Sequence, residues 1–390
     1  MTTAPGDPRG FVVCGPQTLS EGEMAPGILV SQTLRQMIAE GQIQSLLAVR
    51  SGQIQPSSLD LRLGARLWQL QCSFLPGEQG IERKLGRLAT ASHRLDAREP
   101  LVLHQGGVYL AEIEEVMNLP ADVWGRGNPK SSTGRLDVFV RLLTEHGDAF
   151  DTVPAGYQGR LFLEITPQSF HVAVRRGDCL GQLRLARGNP ILSAEEVQAR
   201  QDGPQPLCTW SDGSSGPVVE APTPGVLLSV DLESVTGGPV GYIARRHQPP
   251  VDLARRNLSV SRYWMPLSPS GGEGQVLEPE LFYIFATRET LQVPADLCAE
   301  LVAFDATKGE LRTHYAGFID SGFGWRADHH GRGARLVLEI RTHDVPFLLE
   351  HGQQLFRVEF MRNEAIPDVL YGDSGSNYQM QGLKLAKQFG

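Results

Sequence analysis

The sequence predicts a mainly β fold, laid out as two tandem copies of one unit with a few short helices. Three observations lead there. Of 390 residues 41% are hydrophobic, enough to fill two cores of ordinary size in a chain too long for one common domain. Gly (43) and Pro (26) stand a little above average usage, which suits short strands joined by many turns. The third observation is internal repetition.

Residues 101–125, LVLHQGGVYLAEIEEVMNLPADVWG, and residues 276–301, VLEPELFYIFATRETLQVPADLCAEL, share an apolar strand, a Glu-containing bridge and the tripeptide PAD, at Pro120 and Pro294. Further on, RLFLEI (160–165) matches RLVLEI (335–340) and places Glu164 and Glu339 at an offset of 175, next to the 174 between the two PAD segments. The first unit is assigned to 25–195, after an N-terminal extension of 1–24. It opens with ILVSQTLRQMIAEGQI, where Leu34, Met37 and Ile38 fall on one face of a helix. Residues 196–221, rich in Gly, Pro, Ser and Asp, read as a linker. The second unit takes 222–370, and 371–390 form a C-terminal segment able to fold over a charged ligand. Short apolar stretches bounded by turn residues make each unit a compact antiparallel sandwich or barrel.

The net charge of −8 and a sequence pI near 5.7 argue against broad nucleic-acid binding, so a polyanionic ligand needs a local basic pocket. Cys14, Cys72, Cys179, Cys208 and Cys298 are odd in number, scattered and never spaced as CxxC, which suggests neither a disulfide framework nor a zinc site. The N-terminus lacks the charged-then-apolar order of a secretion signal, and no apolar run approaches ~18 residues. A cytoplasmic protein without a membrane partner is expected.

Two segments could carry chemistry together. GRGNPKSSTGRLDVFVR (125–141) holds Arg126, Lys130, Arg135 and Arg141 around Ser131 and Ser132 in a Gly/Pro/Ser-rich turn, a composition able to grip a phosphate chain, although a solvated basic loop also fits. The matching place in the second unit, FDATKGELR (304–312), has Glu310 opposite Arg135 and would repel a triphosphate. Conversely HYAGFIDSGFG (314–324) carries Asp320 in a Gly-rich bend, where the first unit has Pro154 in FDTVPAGYQG. Each copy lacks what the other keeps, so the two are expected to form one composite pocket, with the bend approaching a flat base and Asp320 accepting from a sugar hydroxyl. A turn-initiating Asx residue is the structural alternative for Asp320. Glu164 and Glu339 each end an apolar strand and are either the first solvent-facing residue or, in a dry pocket, a proton carrier.

The segments GILVSQTLRQMIAEGQI, SSLDLRLG, PKSSTGRLD, GDCLGQL, AGFIDSGFG, LVLEI and YQMQG together resemble the dCTP deaminase and dUTPase superfamily, and within it dCTP deaminase in tandemly duplicated form. The resemblance implies dUTPase-like distorted β-barrel or jelly-roll units in a homo-oligomer, with sites between units. It also implies a hydrolase acting on the cyclic amidine C–N bond of dCTP, with Mg2+ accompanying the triphosphate and no zinc. Possible further ligands are dUTP and dTTP. By position, Ser131 and Arg135 would orient water and the acid. Lys130, Ser132 and Gln182 would contact phosphates. Ala316 would hold water by its backbone, Ile319 and Asp320 would bind the deoxynucleoside, and Glu339, or Glu164 as the alternative acid, would shuttle protons. Tyr378, Gln381 and Gly382 would belong to the closing C-terminal segment. A dUTP pyrophosphatase, a bifunctional enzyme and a non-catalytic nucleotide-binding protein are the competing readings. The residues leave open whether the halves meet within one chain or between chains.

Overall fold

The computed structural model describes residues 26–210, 225–233, 237–302, 311–313, 317–325, 333–342, 344–373, 378–379 and 381–389. They form a mostly β protein with a few short helices. The first half is a ten-stranded, barrel-like sheet. Its main path runs Val138–Thr144, Gln158–Pro167, Val108–Asn118, Leu59–Leu70, Cys179–Arg187, Val123–Pro129 and Thr152–Val153, each pair antiparallel. The described part of the second half is carried mainly by two sheets, beside a small pairing of Gln275–Leu277 with Phe347–Leu349. A six-stranded one is built on Phe282–Leu291 and Ala334–Thr342, and a four-stranded one runs Val226–Ser229, Gln354–Arg362, Leu297–Val302, Phe318–Ile319.

The repeat is visible in the strand register. Glu164 lies opposite Leu110 and Glu339 opposite Ile284, corresponding pairs of the two units. The helix expected near the start spans Ser31–Ala39, with Leu34 and Met37 buried and Ile38 packed against the core. Alternation along Leu59–Leu70 sends Leu59, Leu61 and Leu63 into that core and turns Asp60 and Arg62 to the opposite face, where Arg62 Nε donates to Glu115 at 2.7 Å.

Each half has its own hydrophobic cluster, but the first is completed from outside. Trp264, Phe282 and Ile284 of the second half and Leu385, Ala386 and Phe389 near the C-terminus all join it. Phe170 meets Trp264 edge-on at 5.4 Å, and Phe389 meets Trp264 at 5.8 Å. Burying such side chains contributes about 1.5–3 kcal/mol each. The halves are therefore welded by a shared core, and the C-terminal segment is anchored into it. Among the described residues no helix is long and apolar enough to cross a membrane.

Candidate functional site

The basic turn is set by strand pairing. Val123–Pro129 runs beside Cys179–Arg187, so that Asn128 faces Gln182, and the Lys130 N–H donates to Leu180 O at 2.9 Å. A four-residue helix, Ser131–Gly134, follows and closes with Arg135 N–H donating to Ser131 O at 3.1 Å, which stacks Ser131, Ser132 and Arg135 within one tight turn. Gln182 is buried and donates to Pro129 O at 3.3 Å. Lys130 Nζ pairs with the buried carboxylate of Asp60. Burial alone would depress the Lys130 ammonium, but Asp60, with Asp320 beyond it, raises it above its ordinary value.

The carboxylate-bearing bend of the second half reaches this region within the same chain. Ile319 pairs with Ala299, and the Gly317 N–H donates to Asn128 Oδ1 at 2.6 Å, linking the halves directly. A side chain at Gly317 would begin 2.8 Å from Leu301 O, so only glycine permits this approach. Asp320 is buried, and among the described residues its two firm side-chain partners come from the first half: Ser57 Oγ donates to Oδ1 at 2.8 Å and Arg184 Nη2 to the same oxygen at 3.2 Å.

Glu339 enters from the third side. It is buried on Ala334–Thr342, and its carboxylate lies against the Cα of Gly134, leaving no room there for a Cβ. The C-terminal segment covers the same turn. Arg135 Nη2 donates to Gln381 Oε1 at 3.0 Å, Nη1 donates to Lys384 O at 2.9 Å, and the guanidinium lies 3.9 Å over the Tyr378 ring. Tyr378 also donates to Ser132 Oγ at 3.1 Å, and Gln381 Nε2 to Arg335 O at 3.1 Å. Gly382 lies beside Gln381 with open space where a side chain would stand. Lys387, from the same segment, has its ammonium lowered by burial and then by the neighbouring Lys130 and Arg256 charges. A concentration of cation this dense suits an anionic ligand.

Glu164 stands in a different setting. Ser73 Oγ donates to Oε1 at 2.9 Å, and its pKa is raised by burial, with Arg141 and Asp151 as further charged neighbours. Ala316 and residues 304–310 of FDATKGELR lie outside the described residues. Five site residues were not singled out by sequence reasoning: Ser57, Asp60, Asn128, Arg184 and Lys387. Ser57 and Asp60 belong to SSLDLRLG and Asn128 to the basic turn, so their motifs were visible although their partners were not. Arg184 follows GDCLGQL closely but faces a strand some 135 positions away, which no local pattern reveals.

Comparison with known proteins places both halves in one family. Residues 25–189 match the 2′-deoxycytidine 5′-triphosphate deaminase N-terminal domain, and residues 205–389 match the C-terminal domain of the same family. A dUMP-forming dCTP deaminase of Acidothermus cellulolyticus is 30% identical over 197 residues, 47% of this chain and 96% of the relative. One from Parafrankia sp. is 31% identical over 206 residues, 50% of this chain and 96% of the relative. A crystal structure of 2′-deoxycytidine 5′-triphosphate deaminase from Agrobacterium tumefaciens superposes with a TM-score of 0.81 at 38% identity, covering 88% of this chain and 97% of that one. With both halves matched and a solved relative covered almost end to end, the chain belongs to the 2′-deoxycytidine 5′-triphosphate deaminase family.

Proposed function

We propose that the chain hydrolyses the exocyclic C–N bond of dCTP, giving dUTP and ammonia. The observation that supports this most is Glu339 of the second half lying against Gly134 of the first, one residue from the buried guanidinium of Arg135. In this reading Glu339 takes a proton from water as the hydroxide adds to C4 and passes it to the ring nitrogen, then carries the proton of the new C4 hydroxyl to the departing amine, leaving the carbonyl. Water and dCTP thus balance dUTP and ammonia. Glu164, hydrogen-bonded to Ser73 away from this turn, is the weaker choice of acid. Ser131 and Arg135 orient the water and the carboxylate, and donors fixed in advance of the charge they meet lower the barrier. Lys130, Ser132 and Gln182 hold phosphates, Ile319 and Asp320 hold the deoxynucleoside, and the backbone of Ala316 holds the water. Tyr378, Gln381 and Gly382 close the pocket.

In this proposal magnesium travels with the phosphate oxygens and neutralises their charge. A homo-oligomer and a cytoplasmic place of action belong to the same proposal. A second reading is favoured by several dUMP-forming relatives: deamination followed by loss of pyrophosphate. Incubating the purified protein with dCTP and, separately, with dUTP and assaying ammonia, dUTP, dUMP and pyrophosphate separates the readings. Ammonia with dUTP supports the first, and ammonia with dUMP and pyrophosphate the second. Pyrophosphate from dUTP without ammonia from dCTP marks a pyrophosphatase, and no product from either nucleotide marks a non-catalytic binder.

A further inference from the structure

Arg184 has no part in the proposed chemistry, yet it is a fully buried cation spent on a single bend. Its Nη1 donates to Ala299 O at 3.0 Å, Nε to Ser57 O at 3.3 Å, and Nη2 to Asp320 Oδ1 at 3.2 Å with Ile319 O at 3.5 Å. Its Cζ lies 4.1 Å over the Phe318 ring. Ala299 and Ile319 are cross-strand partners, so one planar fork spans both strands at the base of the bend and the carboxylate at its tip. A buried guanidinium with these acceptors is costly to leave half-satisfied, so the arrangement holds as a unit.

The two oxygens of Asp320 are not equivalent. Among the described residues Oδ1 accepts from Ser57 at 2.8 Å and from Arg184 at 3.2 Å, whereas Oδ2 has a long 3.5 Å contact with Ser58 Oγ, which Oδ1 shares. Oδ2 is thus the oxygen left for a ligand donor. A deoxynucleoside triphosphate has one free sugar hydroxyl, at the 3′ position. We propose that Arg184, with Ser57, is the positioning residue that turns Asp320 Oδ2 toward the 3′-hydroxyl, so that the first half sets how the second half's bend selects the sugar. This rests on the reading of Asp320 as a nucleoside contact.

The test is calorimetric binding of dCTP and of 2′,3′-dideoxycytidine triphosphate to the full chain, which does not depend on turnover. Wild type should favour dCTP by about tenfold or more, the cost of leaving a polar site unpaired. Arg184→Lys keeps the charge but cannot fork. It should weaken dCTP binding about tenfold and bring the dCTP-to-dideoxy ratio close to one, with kcat at saturating dCTP within about threefold of wild type. Ser57→Ala should move the ratio the same way by about threefold, and it carries the test if Arg184→Lys does not fold. A merely structural role weakens both nucleotides alike; an unchanged ratio in both variants overturns the proposal. A wild type that binds both nucleotides equally overturns the sugar reading of Asp320 and the proposal with it, whereas intact selectivity in wild type alone isolates the failure to Arg184.

Discussion

The backbone of Gly134 and the carboxylate of Glu339 touch across the two halves: a Cβ built on Gly134 would lie 2.8 Å from Oε1 and closer still to Oε2. Gly134 has no left-handed backbone to protect, since it ends a short helical turn and is absent from the positive-φ glycines. Its lack of a side chain serves the carboxylate instead.

Gly134→Ala should therefore separate activity from stability. Alanine suits the helical backbone at least as well as glycine, so the melting temperature should stay within about 3 °C of wild type. The methyl group displaces the Glu339 carboxylate, and a shift of about 1 Å in a reacting group costs on the order of 100-fold in kcat. Steady-state ammonia release beside a thermal melt checks both halves of the statement. Full activity in Gly134→Ala would show that the carboxylate position is not what the pocket depends on.

The paired substitution of the two repeat acids is sharper. Glu339→Gln should lower kcat by about 10³-fold, within the range for removing a general acid–base, while dCTP binding stays within a few-fold. Glu164→Gln should leave kcat within about twofold. Ammonia release lost in the second variant and kept in the first would transfer the chemistry to Glu164.

Glu164 also fixes the direction of a pH effect. Burial raises its pKa, so the folded state holds the proton more tightly than the unfolded chain. That contribution is present below the unfolded carboxylate range and is lost as pH rises through it toward the folded value. Wild type should thus lose, as pH rises above the ordinary carboxylate range, stability that Glu164→Gln retains. Melting temperatures of the two proteins should diverge by about 2 °C or more with rising pH, and parallel curves would contradict the assignment.

How far the sequence reached can be judged from these same residues. RLFLEI and RLVLEI were legible as equivalent strands because a two-residue period and a constant offset survive without a partner, and Glu164 and Glu339 do occupy equivalent register positions. The composite site is inferred in sequence from what each copy lacks; Asn128 with Gly317 joins the two segments, while Ser57 and Arg184 reach Asp320 from elsewhere in the first half. What local pattern could not give was the difference between the two glutamates. They have nearly identical neighbours in sequence, and only tertiary packing puts Ser73 beside one and Gly134 beside the other. The shared core was hidden for the same reason, because Phe389 reads as a tail residue until Trp264 is seen beside it.

The anchoring of that tail leads to the last prediction. Tyr378 accepts from the Lys387 N–H at 3.1 Å, donates to Ser132 Oγ at 3.1 Å and carries the Arg135 guanidinium on its ring. Tyr378→Phe keeps the ring and loses the hydroxyl, and one or two hydrogen bonds of about 1 kcal/mol each correspond to a KM raised roughly 5–30-fold. Tyr378→Ala also removes the cation–ring contact and should cost severalfold more. Phe389→Ala acts from outside the pocket by emptying the space between Tyr263 and Trp264, and it should raise KM for dCTP by loosening the closed segment while Glu339 stays in place. Initial rates over a range of dCTP concentrations read all three. The closing role of the segment holds if KM rises in the order Phe, then Ala, at position 378 and rises again in Phe389→Ala. It fails if Phe389→Ala melts earlier yet keeps the wild-type KM, since the anchor would then serve stability alone.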